Sequence, residues 1–114
     1  MEELFLKKLE EAYQTYDASI IEDYLAHDMH YASMWVFHEM TSKDEYMDYL
    51  RGKLQTMKNS GTTFEFQIVN GQHHSKALLI HKVNGQLDNQ GGFIADFNKD
   101  GKVIMLNITS PSFF

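Results

Sequence analysis

The sequence predicts an α+β fold, with helices first and a strand meander last. Three observations carry this. Apolar residues recur at helical spacing near the start and again over 43–58. After Gly61 the period changes to two. Turn signals at Asn70-Gly71, Asn84-Gly85 and Lys99-Asp100-Gly101 then divide the remainder into short strands.

Phe5, Leu9, Ala12, Tyr13 and Tyr16 form one apolar stripe, with Lys7, Lys8, Glu10, Glu11 and Gln14 between them. This is an amphipathic first helix. Asp17 is placed to cap a second, shorter helix carrying Ile20, Ile21, Tyr24 and Leu25. A strand over 28–36 follows. Its alternation puts Tyr31, Ser33 and Trp35 on one face and His30, Ala32, Met34 and Val36 on the other. Residues 37–40 lead into Ser42-Lys43-Asp44-Glu45, a capping box for a third helix over 43–58. Tyr46, Tyr49, Leu50, Lys53, Leu54 and Met57 mark the inner side of that helix, and Gly61 or Asn59 ends it.

Phe64, Phe66 and Ile68 alternate with Glu65, Gln67 and Val69 in the next strand. In the run 73–83, Lys76 and Lys82 assign Leu78 and Ile80 outward, and with them Ala77, Leu79, His81 and Val83 inward. Residues 86–90 read as polar loop. A strand over 92–98, a tight turn and a strand over 103–109 complete the sheet before Pro111.

The chain of 114 residues is read as one domain spanning 1–114. A formal charge of −6 argues against nucleic acid and anionic membranes as partners and favours neutral or cationic ligands. The absence of cysteine removes disulfides, thiolate catalysis and cysteine-type zinc sites. The N-terminus lacks a signal-peptide pattern and no apolar run is long enough to span a bilayer, so a cytoplasmic protein is expected.

The order helix, short helix, strand, long helix and antiparallel strands resembles the nuclear transport factor 2-like superfamily, which includes SnoaL-type cyclases and ketosteroid isomerases. Leu25-Ala26-His27-Asp28 is similar to the end of that group's second helix. The segment from Gly92 through Asn98-Lys99-Asp100-Gly101 to Lys102-Val103-Ile104 resembles its terminal hairpin. The resemblance implies three N-terminal helices on a strongly curved, mainly antiparallel sheet, forming a cone with an interior pocket. It also implies positions for isomerase chemistry: a carboxylate base, a helix tyrosine and a late-strand acid. Ungapped spacing puts these at Ser33, Leu9 and Phe93, none of which can do that work. A small gap would offer Tyr13 for the helix hydroxyl, without restoring the other two.

The candidate ligand-binding set is Ser33, Trp35, Tyr46, Tyr49 and His81, with Tyr31 and Phe93 as walls. Aromatic rings with a few polar handles suit a small apolar or aromatic molecule. The plain alternative is that these are core aromatics whose polar atoms find backbone partners. His81 and Asp96 are the weak candidates for acid–base work; Asp96 is expected on the outer face unless the register slips by one. His27, His30, His38, His73 and His74 match no metal-ligand spacing, so no metal and no cofactor are expected. An outer sheet face of Ala32, Met34, Val36, Leu78, Ile80, Ile94 and Met105 would be a large apolar patch, pointing to a homodimer. The expected function is a small-molecule-binding domain without a catalytic set. The alternatives are a SnoaL-like cofactor-independent lyase or isomerase using His81 or Asp96, and a protein-interaction domain.

Overall fold

Helix α1 (Glu2–Thr15) buries Phe5, Leu6, Leu9, Ala12 and Tyr13, so Leu6 joins the expected stripe. Tyr16 does not. Its backbone turns left-handed (φ 58°), which ends the helix, and its hydroxyl donates to the Thr62 carbonyl at 2.6 Å. A computed structural model supplies these coordinates, and it describes residues 2–33, 36–70, 76–88 and 91–110.

The second helical segment, Ala18–Tyr24, is a 3₁₀ helix rather than an α-helix. Asp17 caps it as expected, accepting from the Ser19 N–H at 3.0 Å.

Strand β1 (Leu25–Ser33) begins at Leu25 rather than Asp28. Strand β2 (Val36–Met40) runs back antiparallel to it, with Ser33 opposite Val36 and Tyr31 opposite Met40. The expected single strand over 28–36 is therefore two, and residues 37–40 are strand rather than lead-in. Pairing with β1 satisfies backbone groups that a lead-in would leave to solvent.

Helix α2 (Lys43–Ser60) carries the predicted capping box in slightly altered form. Ser42 Oγ accepts from the Glu45 N–H at 3.1 Å, while the Glu45 carboxylate accepts from the Thr41 N–H, one residue before the cap, at 3.1 Å. Gly61 ends the helix with φ 70°, a conformation glycine adopts without penalty. Two helical segments thus precede β1 and the third follows β2, so the three do not all lie N-terminal to the sheet.

The remaining strands are β3 (Phe64–Val69), β4 (Ala77–Val83), β5 (Gln86–Leu87), β6 (Gly92–Phe97) and β7 (Val103–Thr109). Asn84 and Gly85 both have positive φ (52° and 78°), the turn that suits a two-residue hairpin. That turn returns Gln86 and Leu87 onto β4, so part of the expected 86–90 loop is strand; 89–90 lies outside the described residues. The seven-stranded sheet has the order β2-β1-β7-β6-β4-β3, with β5 beside β4. Among the described residues only β1 and β7 pair in parallel. The sheet curls over the helices without closing. No helix among the described residues is long and apolar enough to cross a membrane.

Register identifies the inner face. Tyr31 lies opposite Leu106, Leu106 opposite Ala95, Phe93 opposite Leu78, and Leu78 opposite Ile68. All of these belong to the core or pack against it. Leu78 and Ile80 therefore point inward, the reverse of the expectation from the lysines. The cause is local. Lys76 precedes β4 and reaches Asn70 (3.2 Å). Lys82 lies beyond a bulge, where it pairs with Glu65. The bulged residue is His81: Phe66 is opposite Ile80 and Glu65 opposite Lys82, leaving His81 without a register partner on β3. Lys82 is thus out of phase with Leu78 and Ile80, and Lys76 lies before the strand's alternation begins.

The expected outer patch shrinks accordingly. Leu78 and Ile80 leave it, Ile94 is 5% exposed within the single chain, and Met34 and the Val36 side chain lie outside what is described. Half-buried Ala32 and Met105 remain, joined by Leu79.

Candidate functional site

Inside the curl, three tyrosines meet from two elements. Tyr31 comes from β1; Tyr46 and Tyr49, three residues apart, come from one face of α2. Ring centroids are 4.7 Å apart for Tyr31–Tyr46, 5.6 Å for Tyr31–Tyr49 and 6.4 Å for Tyr46–Tyr49. Their planes are tilted by 33–36°, an offset stack that joins strand to helix. Tyr13 of α1 closes the neighbouring wall against Phe64, Phe66 and Phe93, with ring centroids 5.4–5.7 Å away.

The polar atoms in this interior are out of balance. Tyr31 is 1% exposed and Tyr46 0%. The Tyr31 hydroxyl has Ser33 and Tyr49 beside it. Even so, neither the Tyr31 nor the Tyr46 hydroxyl makes a hydrogen bond of sound geometry with any described residue. Leaving such a group unpaired costs about 1–3 kcal/mol. Burial pushes the Tyr13, Tyr31 and Tyr46 phenols well above their usual value, with the neighbouring tyrosines adding to it. They stay protonated at neutral pH, so they are donors and not bases. Among the described residues no Asp, Glu, His, Lys or Arg side chain is fully buried. The interior therefore offers hydrogen-bond donors, aromatic faces and no carboxylate.

Of the residues expected from sequence, Tyr31, Ser33, Tyr46, Tyr49 and Phe93 lie on the inner face or inner helix side. Trp35 lies outside the described residues. His81 is half-buried at the β4 bulge and does not sit in the inward alternation first assigned to it. Asp96 is exposed on the outer face as expected, opposite Met105. The isomerase positions Leu9, Ser33 and Phe93 do converge on the inner side, as uncharged side chains.

Among the histidines, His30 meets Glu39 at 3.3 Å and His38 meets Glu45 at 2.9 Å, both exposed. His73 and His74 lie outside the described residues. No group of metal-ligating side chains occurs among the described residues.

Sequence reasoning gave Lys53 no role at the site and offered Tyr13 only as a gapped match to the isomerase helix hydroxyl. Lys53 stands on the buried stripe of α2, four residues after Tyr49, with Nζ 5.4 Å from the Tyr13 ring centroid and 5.8 Å from that of Tyr49. The available signal was a lysine at an inner helix position.

Away from this aromatic interior, a concavity of about 380 Å³ lies between the start of β1, the start of α2 and the β6–β7 turn. It is open to solvent and lined by both signs of charge, including Asp23, Asp28, Lys43 and Lys102. Lys102 Nζ already donates to the Asp23 carbonyl. None of its polar side chains is fully buried, so it holds water as readily as a ligand.

No protein-family profile matches the sequence, and no curated protein does. Solved structures do match over nearly the whole chain. A SnoaL-like protein of unknown function from Burkholderia thailandensis superposes with a TM-score of 0.72 and 16% identity, covering 96% of this chain and 93% of that one. An NTF2-like protein of unknown function from Cytophaga hutchinsonii gives 0.62 and 10%, covering 96% and 89%. An LEH-like epoxide hydrolase from M. tuberculosis gives 0.56 and 16%, covering 91% and 77%. The chain has the cystatin-like α+β fold of the nuclear transport factor 2-like superfamily.

Proposed function

We infer that the domain binds a small, largely apolar or aromatic molecule inside the curl of its sheet. One observation carries the reading: among the described residues the buried Tyr46 hydroxyl has no hydrogen-bond partner, and the Tyr31 hydroxyl has none of sound geometry, with only Ser33 and Tyr49 beside it. A fold seldom keeps two adjacent donors unsatisfied unless water or a ligand completes them. Tyr13, Tyr49 and Phe93 supply the aromatic walls, and Ser33 a further hydroxyl on the same face.

Binding is favoured over turnover. General acid–base catalysis needs a group that titrates near neutral pH beside the reacting atom. The raised phenols do not, and Asp96 faces outward. The epoxide hydrolase among the structural relatives shares the fold at an identity that carries no activity across.

The test is a panel of small aromatic and alicyclic metabolites, read by thermal unfolding and by Trp35 fluorescence. The expected result is at least one compound that raises the midpoint in wild type and at least tenfold less effectively in Tyr46→Phe, with Tyr16→Phe unaffected. A panel without response, together with an ordered water joining the two hydroxyls in a crystal structure, would remove the reading.

A further inference from the structure

We propose that the molecule bound in this interior is an anion, a compact aromatic or alicyclic carboxylate, with Lys53 as its counter-charge. The proposal rests on the binding reading above and adds the ligand's charge.

The interior polar inventory is one-sided. Among the described residues the Tyr46 hydroxyl has no partner and the Tyr31 hydroxyl has none of sound geometry, and burial keeps both protonated. No carboxylate is fully buried among the described residues. A ligand that satisfies such a site must bring acceptors, and a carboxylate brings two oxygens with about four acceptor positions.

Lys53 supplies the charge. It is half-buried on the inner stripe of α2, and its ammonium lies over the faces of Tyr13 and Tyr49. α1 packs on the 3₁₀ segment, β3 and β4, whereas α2 packs on the 3₁₀ segment and β1. Lys53 thus reaches from one helix to a ring of the other, beside the tyrosine cluster. Among the described residues Lys53 has no carboxylate within ion-pair distance, whereas Lys7, Lys8, Arg51 and Lys82 each have one. Two ring faces compensate an ammonium only partly. An anionic ligand adjoining the tyrosines would complete it with a charge-assisted hydrogen bond, and those are about twice as strong as neutral ones.

The chain's net charge of −6 points the other way. Its carboxylates are distributed over the surface, where salt screens them beyond about 8 Å. At the tyrosine cluster the charge in contact with the rings is that of Lys53, and the local donors decide.

The experiment compares three acids (benzoate, 4-ethylbenzoate and 2-naphthoate) with their matched neutral methyl ketones. Dissociation constants come from amide chemical-shift titrations of the full chain. The expected result is that the acids bind at least tenfold more tightly than the ketones. In Lys53→Met that ratio falls to about one, while Lys53→Arg and Lys58→Met keep it. The amide spectra establish that each variant is folded. Equal binding of acids and ketones would overturn the anion proposal and leave the binding reading standing. An acid preference that survives Lys53→Met would overturn Lys53 as the counter-charge. Absence of binding by all six compounds would count against both.

Discussion

Two tyrosine hydroxyls in one protein meet opposite fates, and the contrast isolates what is unusual about the interior. Tyr16 donates to the Thr62 carbonyl at 2.6 Å, whereas Tyr46 is fully buried with no partner among the described residues. Tyr16→Phe should therefore destabilise the protein by about 1 kcal/mol, the net value of one hydrogen bond. Tyr46→Phe should instead stabilise the ligand-free protein by about 1 kcal/mol, because it removes an unsatisfied donor and keeps the ring contacts. Urea denaturation of both variants checks the opposite signs, and a loss of stability in Tyr46→Phe would mean that its hydroxyl is already satisfied. The tyrosines themselves were legible from sequence, since periodicity placed Tyr31, Tyr46 and Tyr49 inward. That their hydroxyls lack partners was not, because it depends on distances between elements that no local pattern encodes. Lys53 was visible as a lysine at an inner helix position, but only the ring centroids of Tyr13 and Tyr49 give that position a meaning.

At the scale of the element, local chemistry was the most readable part of the chain. The Asp17 cap, the Ser42–Glu45 box and the Gly61 terminator all follow from side chains acting within a few residues. The failures share one cause. Parity along β4 breaks at the His81 bulge, and a bulge is a property of the pair of strands rather than of either one. The same holds for β2, which is a strand because β1 lies beside it. The α2 cap also makes a pH prediction. Hydrogen bonds from the Thr41 N–H and from His38 hold the Glu45 carboxyl below its usual value of 4.5. A folded-state value below the unfolded one means that the unfolded chain binds protons first as pH falls. The contribution is therefore fully present above pH 4.5 and fades as acidification proceeds through the lower folded value. Glu45→Gln should flatten the fall in helical stability over that acid range, measured by circular dichroism at a series of pH values. An unchanged slope would show that the carboxylate contributes nothing to the cap.

At the scale of the molecule, the order of elements was enough to indicate the α+β class and the resemblance to the nuclear transport factor 2-like group, and structural relatives agree over nearly the full length. The curl of the sheet explains why the site is interior. Strand order β2-β1-β7-β6-β4-β3 carries inward-facing residues from Tyr31 through Leu106 and Phe93 to Leu78 around one concave surface. The homodimer expected through the convex face now has less to rest on, with Leu78 and Ile80 in the core. The proposed interior site rests instead on the concave face, where the Tyr46 hydroxyl lacks a partner among the described residues. A crystal structure of the protein with the tightest compound from the metabolite panel tests this most directly. The account predicts an acceptor oxygen of the ligand about 2.7 Å from the hydroxyls of both Tyr31 and Tyr46. A ligand seated in the open cleft beside Lys102, with the tyrosine interior closed or holding only water, would contradict it.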